Sequence, residues 1–230
     1  GLGAGGEAAD DTPATIENLR GTSRADELRG DDESNRIDPG RAFSGTDTVF
    51  GGGGDKDVLE LNYSELNAAI DLQFIVNFGS VSGGTSLTFS QIEAVDLDGT
   101  NFDDVVLMES FGDDVLILRD GNDSIEAGGG RDLILAGMGN DFIRHEGLPA
   151  GDGVGLLWID GGRGIDTLSI DLSGTASDIG LIMGAPTLEN PGQAVSFDNL
   201  IAITGIEVLA DVETGDGNDT IIQPGFVNNT

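Results

Sequence analysis

Residues 118–126 read LRDGNDSIE, 127–135 read AGGGRDLIL and 136–144 read AGMGNDFIR, three consecutive nine-residue units. Each has glycine fourth, aspartate sixth and isoleucine eighth. Residues 109–117 (ESFGDDVLI) keep the frame with leucine eighth, and 99–107 (GTNFDDVVL) keep it more loosely. Past an interruption, 161–169 (GGRGIDTLS) return to it, and 214–222 (TGDGNDTII) supply one more copy. Weaker copies lie near the start: GTSRADELR (21–29), GDDESNRID (30–38), AFSGTDTVF (42–50) and GGGDKDVLE (52–60). A fixed short period of this kind is the mark of a repeat architecture.

The chemistry of one unit predicts its shape. Glycines reach backbone conformations closed to other residues, so the first six residues can form a tight turn. The last three, with one apolar residue between two others, make a short strand with a single inward side chain. Two units close one coil, and stacked coils pair their strands in parallel over a narrow core of Ile, Leu and Val. The fold class expected is all-β: a parallel β-roll or β-helix solenoid of nonapeptide repeats, interrupted by longer non-repeat β segments.

A longer repeat overlies the short one. Ile16-Glu17, Ile92-Glu93 and Ile206-Glu207 each precede a nonapeptide unit, and the first two of those units open with Gly21-Thr22 and Gly99-Thr100. Glycine-poor stretches come before the second and third pairs. In the first, Ile70, Leu72, Phe74, Val76 and Phe78 alternate, a strand period. SELNAAIDL (64–72) could turn once or twice as a helix but runs straight into that alternation. The chain thus divides into a leading segment (1–20), degenerate repeats (21–60), a β spacer (61–98) and the main run (99–144). An insertion (145–160), a repeat (161–169), a second spacer (170–213) and a last repeat with its tail (214–230) follow, all in one continuous solenoid.

Composition narrows the function. Forty-two acidic residues against ten basic ones give a formal charge of −32, which repels nucleic acid and anionic membrane and invites cations. There is no cysteine, hence no disulfide framework and no cysteine-ligated zinc. No apolar run has the length of a membrane span. The chain starts with glycine and shows no signal-peptide pattern, which suggests a mature or excised piece.

Stacking the units places the sixth-position aspartates in columns, where like charges repel unless a cation lies between them. Carboxylates together with turn carbonyls form a hard oxygen cage, which suits Ca²⁺ better than Mg²⁺ or the softer metals. DLDGTNFDD (96–104) superficially suggests an EF-hand loop, but its acidic spacing is wrong and no helices flank it.

These nonapeptides strongly resemble those of the RTX (repeats-in-toxin) family, the haemolysin-type calcium-binding repeats. The resemblance implies several Ca²⁺ ions, each held between one turn and the turn two units along by both sixth-place aspartates and by backbone carbonyls. Asp104 would then pair with Asp123, Asp114 with Asp132, and Asp123 with Asp141. Carbonyls near Gly121, Gly128, Gly130, Gly137 and Gly139 would complete the cages. Asp26, Asp47, Asp57, Asp166 and Asp219 hold the same place in more isolated units. Two departures weaken the early units: Asn35 brings no charge, and Arg24 replaces a turn glycine.

The resemblance further implies a protein that leaves a Gram-negative bacterium by type I secretion and folds on meeting calcium outside, in the extracellular space or at the cell surface. No nucleophile–base pair, phosphate loop or catalytic carboxylate pair can be singled out, so the chain reads as a structural module and not an enzyme. Three roles fit. One is a calcium-rigidified segment of a surface or extracellular protein. Another is a calcium-dependent module of a secreted protease, lipase or polysaccharide-modifying enzyme. The third is a filament or surface-layer unit that pairs with further copies of itself. His145 reads as a surface or capping histidine, and Trp158 as a packing residue near the insertion.

Overall fold

The computed structural model describes residues 17–40, 45–75, 78–148, 156–174, 178–183 and 199–222. Ile16, Val76, the C-terminal tail beyond residue 222 and much of the insertion lie outside them. The described residues contain twenty β-strands and no helix.

The strands fall into two sheets of ten. The first sheet begins with β1 (Asn18–Arg20), β3 (Arg36–Asp38), β5 (Val58–Asn62), β9 (Ala94–Asp98) and β11 (Val115–Ile117). It continues through β13 (Leu133–Met138), β15 (Leu156–Arg163), β18 (Asn199–Thr204), β17 (Ile179–Met183) and β20 (Thr220–Ile222). The second sheet starts at β2 (Glu27–Arg29) and β4 (Asp47–Phe50), then takes β8 (Leu87–Ser90), β7 (Phe78–Gly83) and β6 (Ile70–Ile75). It ends with β10 (Val105–Met108), β12 (Ser124–Glu126), β14 (Phe142–Glu146), β16 (Thr167–Asp171) and β19 (Val208–Glu213).

Through the main run successive strands alternate between the sheets, and each pairs in parallel with the strand two units away. Leu116 lies opposite Ile134 in the first sheet and Ile125 opposite Ile143 in the second. One coil is therefore two nonapeptides, as the unit chemistry predicts. The eighth-place side chains Leu116, Ile125, Ile134, Ile143 and Leu168 are fully buried.

The core also takes residues that the single-inward-side-chain reading leaves out. The first place of the unit (Leu118, Ala127, Ala136) is fully buried as well. The chain leaves each strand still turned inward, and a small or branched side chain there closes the corner of the coil. This corrects the expectation for His145, which holds that same first place and is completely enclosed.

The described strands of the spacers join the same two sheets. In the first spacer, Ile70, Leu72 and Phe74 alternate inward as expected, but the alternation does not run on through Phe78. The chain reverses instead, β6 and β7 pair antiparallel, and Phe78 sits exposed on the returning strand. Phe74 and Phe89 meet edge to face across this insertion at 5.1 Å. In the second sheet β8, β7 and β6 stand between β4 and β10, whereas in the first sheet β5 and β9 are direct neighbours. The second spacer does the reverse. It puts both β18 and β17 between β15 and β20 of the first sheet, while β16 meets β19 directly in the second.

Coil stacking is tightest at the turn glycines. Gly137 has φ +114°, and a Cβ there would lie 1.8 Å from the carbonyl oxygen of Arg119 one coil below. Both the backbone angle and the space exclude a side chain. Gly137→Ala is expected to cost at least ~2 kcal/mol in calcium-saturated denaturant unfolding. Gly174→Ala, at a glycine with nothing near its absent Cβ, leaves the midpoint in place.

Candidate metal centre

Each strand of the main run is entered through a turn that ends in the sixth-place aspartate, and stacked turns bring these aspartates into two columns. In the column leading to the second sheet, the Asp104 N–H donates to Asp123 Oδ1 at 2.7 Å. The Asp123 N–H donates to Asp141 Oδ1 at 2.8 Å, and the Asp141 N–H to Asp166 Oδ1 at 2.8 Å. In the column leading to the first sheet, the Asp114 N–H donates to Asp132 Oδ1 at 2.9 Å. The pairs Asp104–Asp123, Asp114–Asp132 and Asp123–Asp141 thus come together as neighbours one coil apart.

These bonds occupy one oxygen of each carboxylate. The other, Oδ2, is buried without a hydrogen-bond partner in Asp123, Asp132, Asp141 and Asp166. All four residues are at most 2% exposed. An unpaired buried carboxylate oxygen is costly, and a column of them more so. Burial first, and neighbouring carboxylates second, push the Asp114 carboxyl up to about 8; the neighbour that matters most is Asp132. Burial and the charges of Asp104 and Asp141 push Asp123 up to about 8 as well, while Asp141 rises to about 6. Burial also raises Asp47, Asp57 and Asp166 above the usual carboxylate range.

The turn glycines crowd the same columns: a Cβ on Gly121 would stand 2.8 Å from Asp123 Oδ1, and one on Gly130 2.7 Å from Asp132 Oδ1. Gly121, Gly128, Gly130, Gly137 and Gly139 all have positive φ. The carbonyl oxygen of Gly121 points at the Cα of Gly139, so closely that a Cβ there would stand 1.6 Å away. The Gly128 carbonyl is engaged, accepting the Glu146 N–H. Oxygen donors dominate: carboxylates and carbonyls without thiolates suit a hard divalent ion of flexible coordination.

The remaining sixth-place residues vary. Asp104 is already served: the Thr100 N–H and hydroxyl donate to its two oxygens at 2.8 and 2.7 Å, and the Ile70 N–H donates to Oδ1 at 2.9 Å. The Thr22 N–H and hydroxyl both donate to Oδ2 of Asp26, at 2.6 and 2.8 Å, and the Asp26 N–H reaches Asp47 Oδ1. The recurring Gly-Thr opening therefore supplies internal donors to the sixth-place aspartate of the unit that follows each of the first two Ile-Glu pairs. Asn35 donates through its amide to Asp57 Oδ1 at 3.2 Å, setting a neutral N–H where the main run has bare carboxylates. Asp219 accepts the Ile179 N–H at 3.1 Å, away from the main columns.

His145 closes the column of Asp114 and Asp132. Its Nε2 lies 3.0 Å from Asp132 Oδ2, a close contact whose angles are not those of a hydrogen bond. A second ladder runs outside the turns, at the fifth place. Asn122 N–H donates to Asp103 Oδ1, Asn140 N–H to Asn122 Oδ1 and Ile165 N–H to Asn140 Oδ1, at 2.7–2.9 Å. Being exposed, this ladder stitches coils without burying charge.

Residues 110–143, which carry the best of these turns, match the family model of the RTX calcium-binding nonapeptide repeat in four copies. They are RTX repeats. RTX nonapeptides bind Ca²⁺, so this part of the chain is a calcium-binding module. No curated protein matches the chain. The RTX match stops short of Asp104 and of Asp166, although Asp166 continues the column without a break.

Proposed function

We propose that the chain is a calcium-triggered structural segment of a secreted or cell-surface bacterial protein, without catalytic activity of its own. The observation that carries this reading is the row of buried Oδ2 atoms at Asp123, Asp141 and Asp166 that no partner meets. In this proposal Asp114, Asp123, Asp132, Asp141 and Asp166 hold the ions, with the turn carbonyls completing each set. Calcium, when bound, supplies the positive charge that these oxygens lack.

The chain's own residues do the rest. Backbone N–H groups fix one oxygen of each carboxylate and so aim the other. The glycines let successive turns approach closely enough to share donors, and the eighth-place apolar residues lock the coils once stacked. Because ligands from neighbouring coils meet only in the folded state, binding free energy is folding free energy. RTX repeats are typical of secreted bacterial proteins. A chain kept open at low cytosolic calcium and stiffened outside fits the charge of −32 as well.

The test is a calcium titration of the metal-depleted protein, followed by far-UV circular dichroism and by the fluorescence of Trp158. Trp158 lies between Leu133 and Ala202 in the first sheet and so reports on that sheet's assembly. Cooperative gain of β-structure between submillimolar and millimolar calcium, with magnesium ineffective, is expected. Equal β-structure in calcium-depleted buffer at neutral pH would overturn the reading.

A further inference from the structure

The Ile-Glu pairs at the ends of the spacers have no place in the nonapeptide frame, yet the fold sets their glutamates in the aspartate columns. Glu93 immediately precedes β9 and Glu207 immediately precedes β19, where other strands are preceded by a sixth-place aspartate. The Asp57 N–H donates to Glu93 Oε2 at 2.8 Å and the Asp166 N–H to Glu207 Oε2 at 2.9 Å. These are the same bonds that join one aspartate to the next within the main run.

The two places are copies of one device. At each, the glutamate and the residue after it both donate their N–H to the carbonyl of the facing aspartate. The distances are 3.0 and 3.1 Å onto Asp57, and 3.2 and 2.9 Å onto Asp166. Two residues before each glutamate the backbone turns left-handed, at Gln91 (φ 57°) and Gly205 (φ 61°). Ile92 is buried and Ile206 packs against the core, pulling this short turn inward.

An independent observation points to a ligand. Asp166 is 0% exposed and its Oδ2 has no partner, although Oδ1 is held by the Asp141 N–H. Its neighbours in the column are the carboxylates of Asp141 and Glu207. Glu207 reaches this end of the column through Oε2, which accepts the Asp166 N–H.

We propose that Glu93 and Glu207 are calcium ligands, paired with Asp57 and Asp166, that carry the ion columns across the spacers. The proposal rests on the calcium reading above and extends it beyond the RTX-matched residues. Glu17 holds the corresponding place before β1, its carbonyl accepting the Arg36 N–H at 2.9 Å. The Ile-Glu pair is then a joint that restarts the column after each interruption.

Native mass spectrometry in calcium counts ions on folded molecules of the wild-type chain, Glu93→Gln, Glu207→Gln and Glu126→Gln. Glutamine keeps an acceptor for the aspartate N–H and removes only the charge. Glu126 is a control whose partner is Arg144 on the outer face. One ion fewer in Glu93→Gln and in Glu207→Gln, with the full count in Glu126→Gln, is the expected result. A full count in both column variants overturns the proposal while leaving the calcium reading intact. A wild-type chain that binds no calcium overturns both. Should a variant not fold, anomalous scattering from wild-type crystals grown in calcium decides: a peak between Asp166 and Glu207 supports the assignment, and bare density there overturns it.

Discussion

Asp141→Asn is expected to remove two calcium ions and to raise the calcium concentration needed for folding by at least about tenfold, or ~1.4 kcal/mol. Asp141 stands between Asp123 and Asp166, and all three have a buried Oδ2 with no partner. A sixth-place aspartate shared by ions above and below contributes to both. Asparagine retains an oxygen to accept the Asp123 N–H, a bond of 2.8 Å in the native chain, so the ladder survives and the experiment reads charge alone.

The same variant should reverse sign without metal. In calcium-depleted buffer Asp141 is a buried anion among anions, and neutralising it should make the chain more stable than wild type. Few structural mutations destabilise with a ligand and stabilise without it. Asp103→Asn supplies the comparison, since its exposed carboxylate accepts only the Asn122 backbone and side-chain N–H groups. Its calcium midpoint should stay within a factor of about two. Equal effects of the two variants would mean that burial in the column is irrelevant.

Acidification should substitute partly for calcium. Asp114 and Asp123 rise to about 8 in the fold, and Asp141 to about 6, from ordinary values near 3.9 in the unfolded chain. Between about pH 4 and pH 8 the folded chain therefore holds more protons than the unfolded one. Stability then falls as pH rises through that window and is highest at its acidic end. Calcium-depleted protein should accordingly show β-structure near pH 5 and lose it by pH 8, by circular dichroism. Added salt at pH 8 should restore little, because it screens surface repulsion and leaves the buried columns unscreened. With calcium the dependence inverts, since ions must displace protons: the folding midpoint should move to higher calcium as pH falls from 8 to 6. A calcium-free chain that unfolds on acidification would contradict the assignment of buried, mutually repelling carboxylates.

The coil was legible because everything defining it is local. Gly at the fourth place, Asp at the sixth and Ile or Leu at the eighth specify turn, ligand and core within nine residues, and stacking follows from repetition. That regularity let the RTX resemblance assign the pairs Asp114–Asp132 and Asp123–Asp141 residue by residue. Features set by closure across coils were less visible. Alternation from Ile70 onward reads as one strand, and nothing in its polarity marks the reversal that leaves Phe78 exposed. His145 reads as a surface residue until the first place of the unit is known to face inward. The thresholds of Asp26 and Asp104 were likewise hidden: the Gly-Thr openings were plain, but their donation to those carboxylates depends on the fold of the turn. The Ile-Glu pairs were visible as a recurrence, and their position beside Asp57 and Asp166 depends on contacts across 36 and 41 residues.

The unequal rungs of the two sheets have a consequence for the rod as a whole. Each strand occupies about 4.8 Å along the axis, and the sheets lie about 10 Å apart. Among the described residues, the first spacer adds two strands to the second sheet that the first sheet lacks, and the second adds one strand to the first sheet alone. Unequal arc lengths on opposite walls curve a tube, and here the longer wall changes sides. The axis should bow one way at the first spacer and back, less strongly, at the second. On the proposed function, a segment of this kind would be a cranked strut, its bends following from how many strands each spacer adds to which wall.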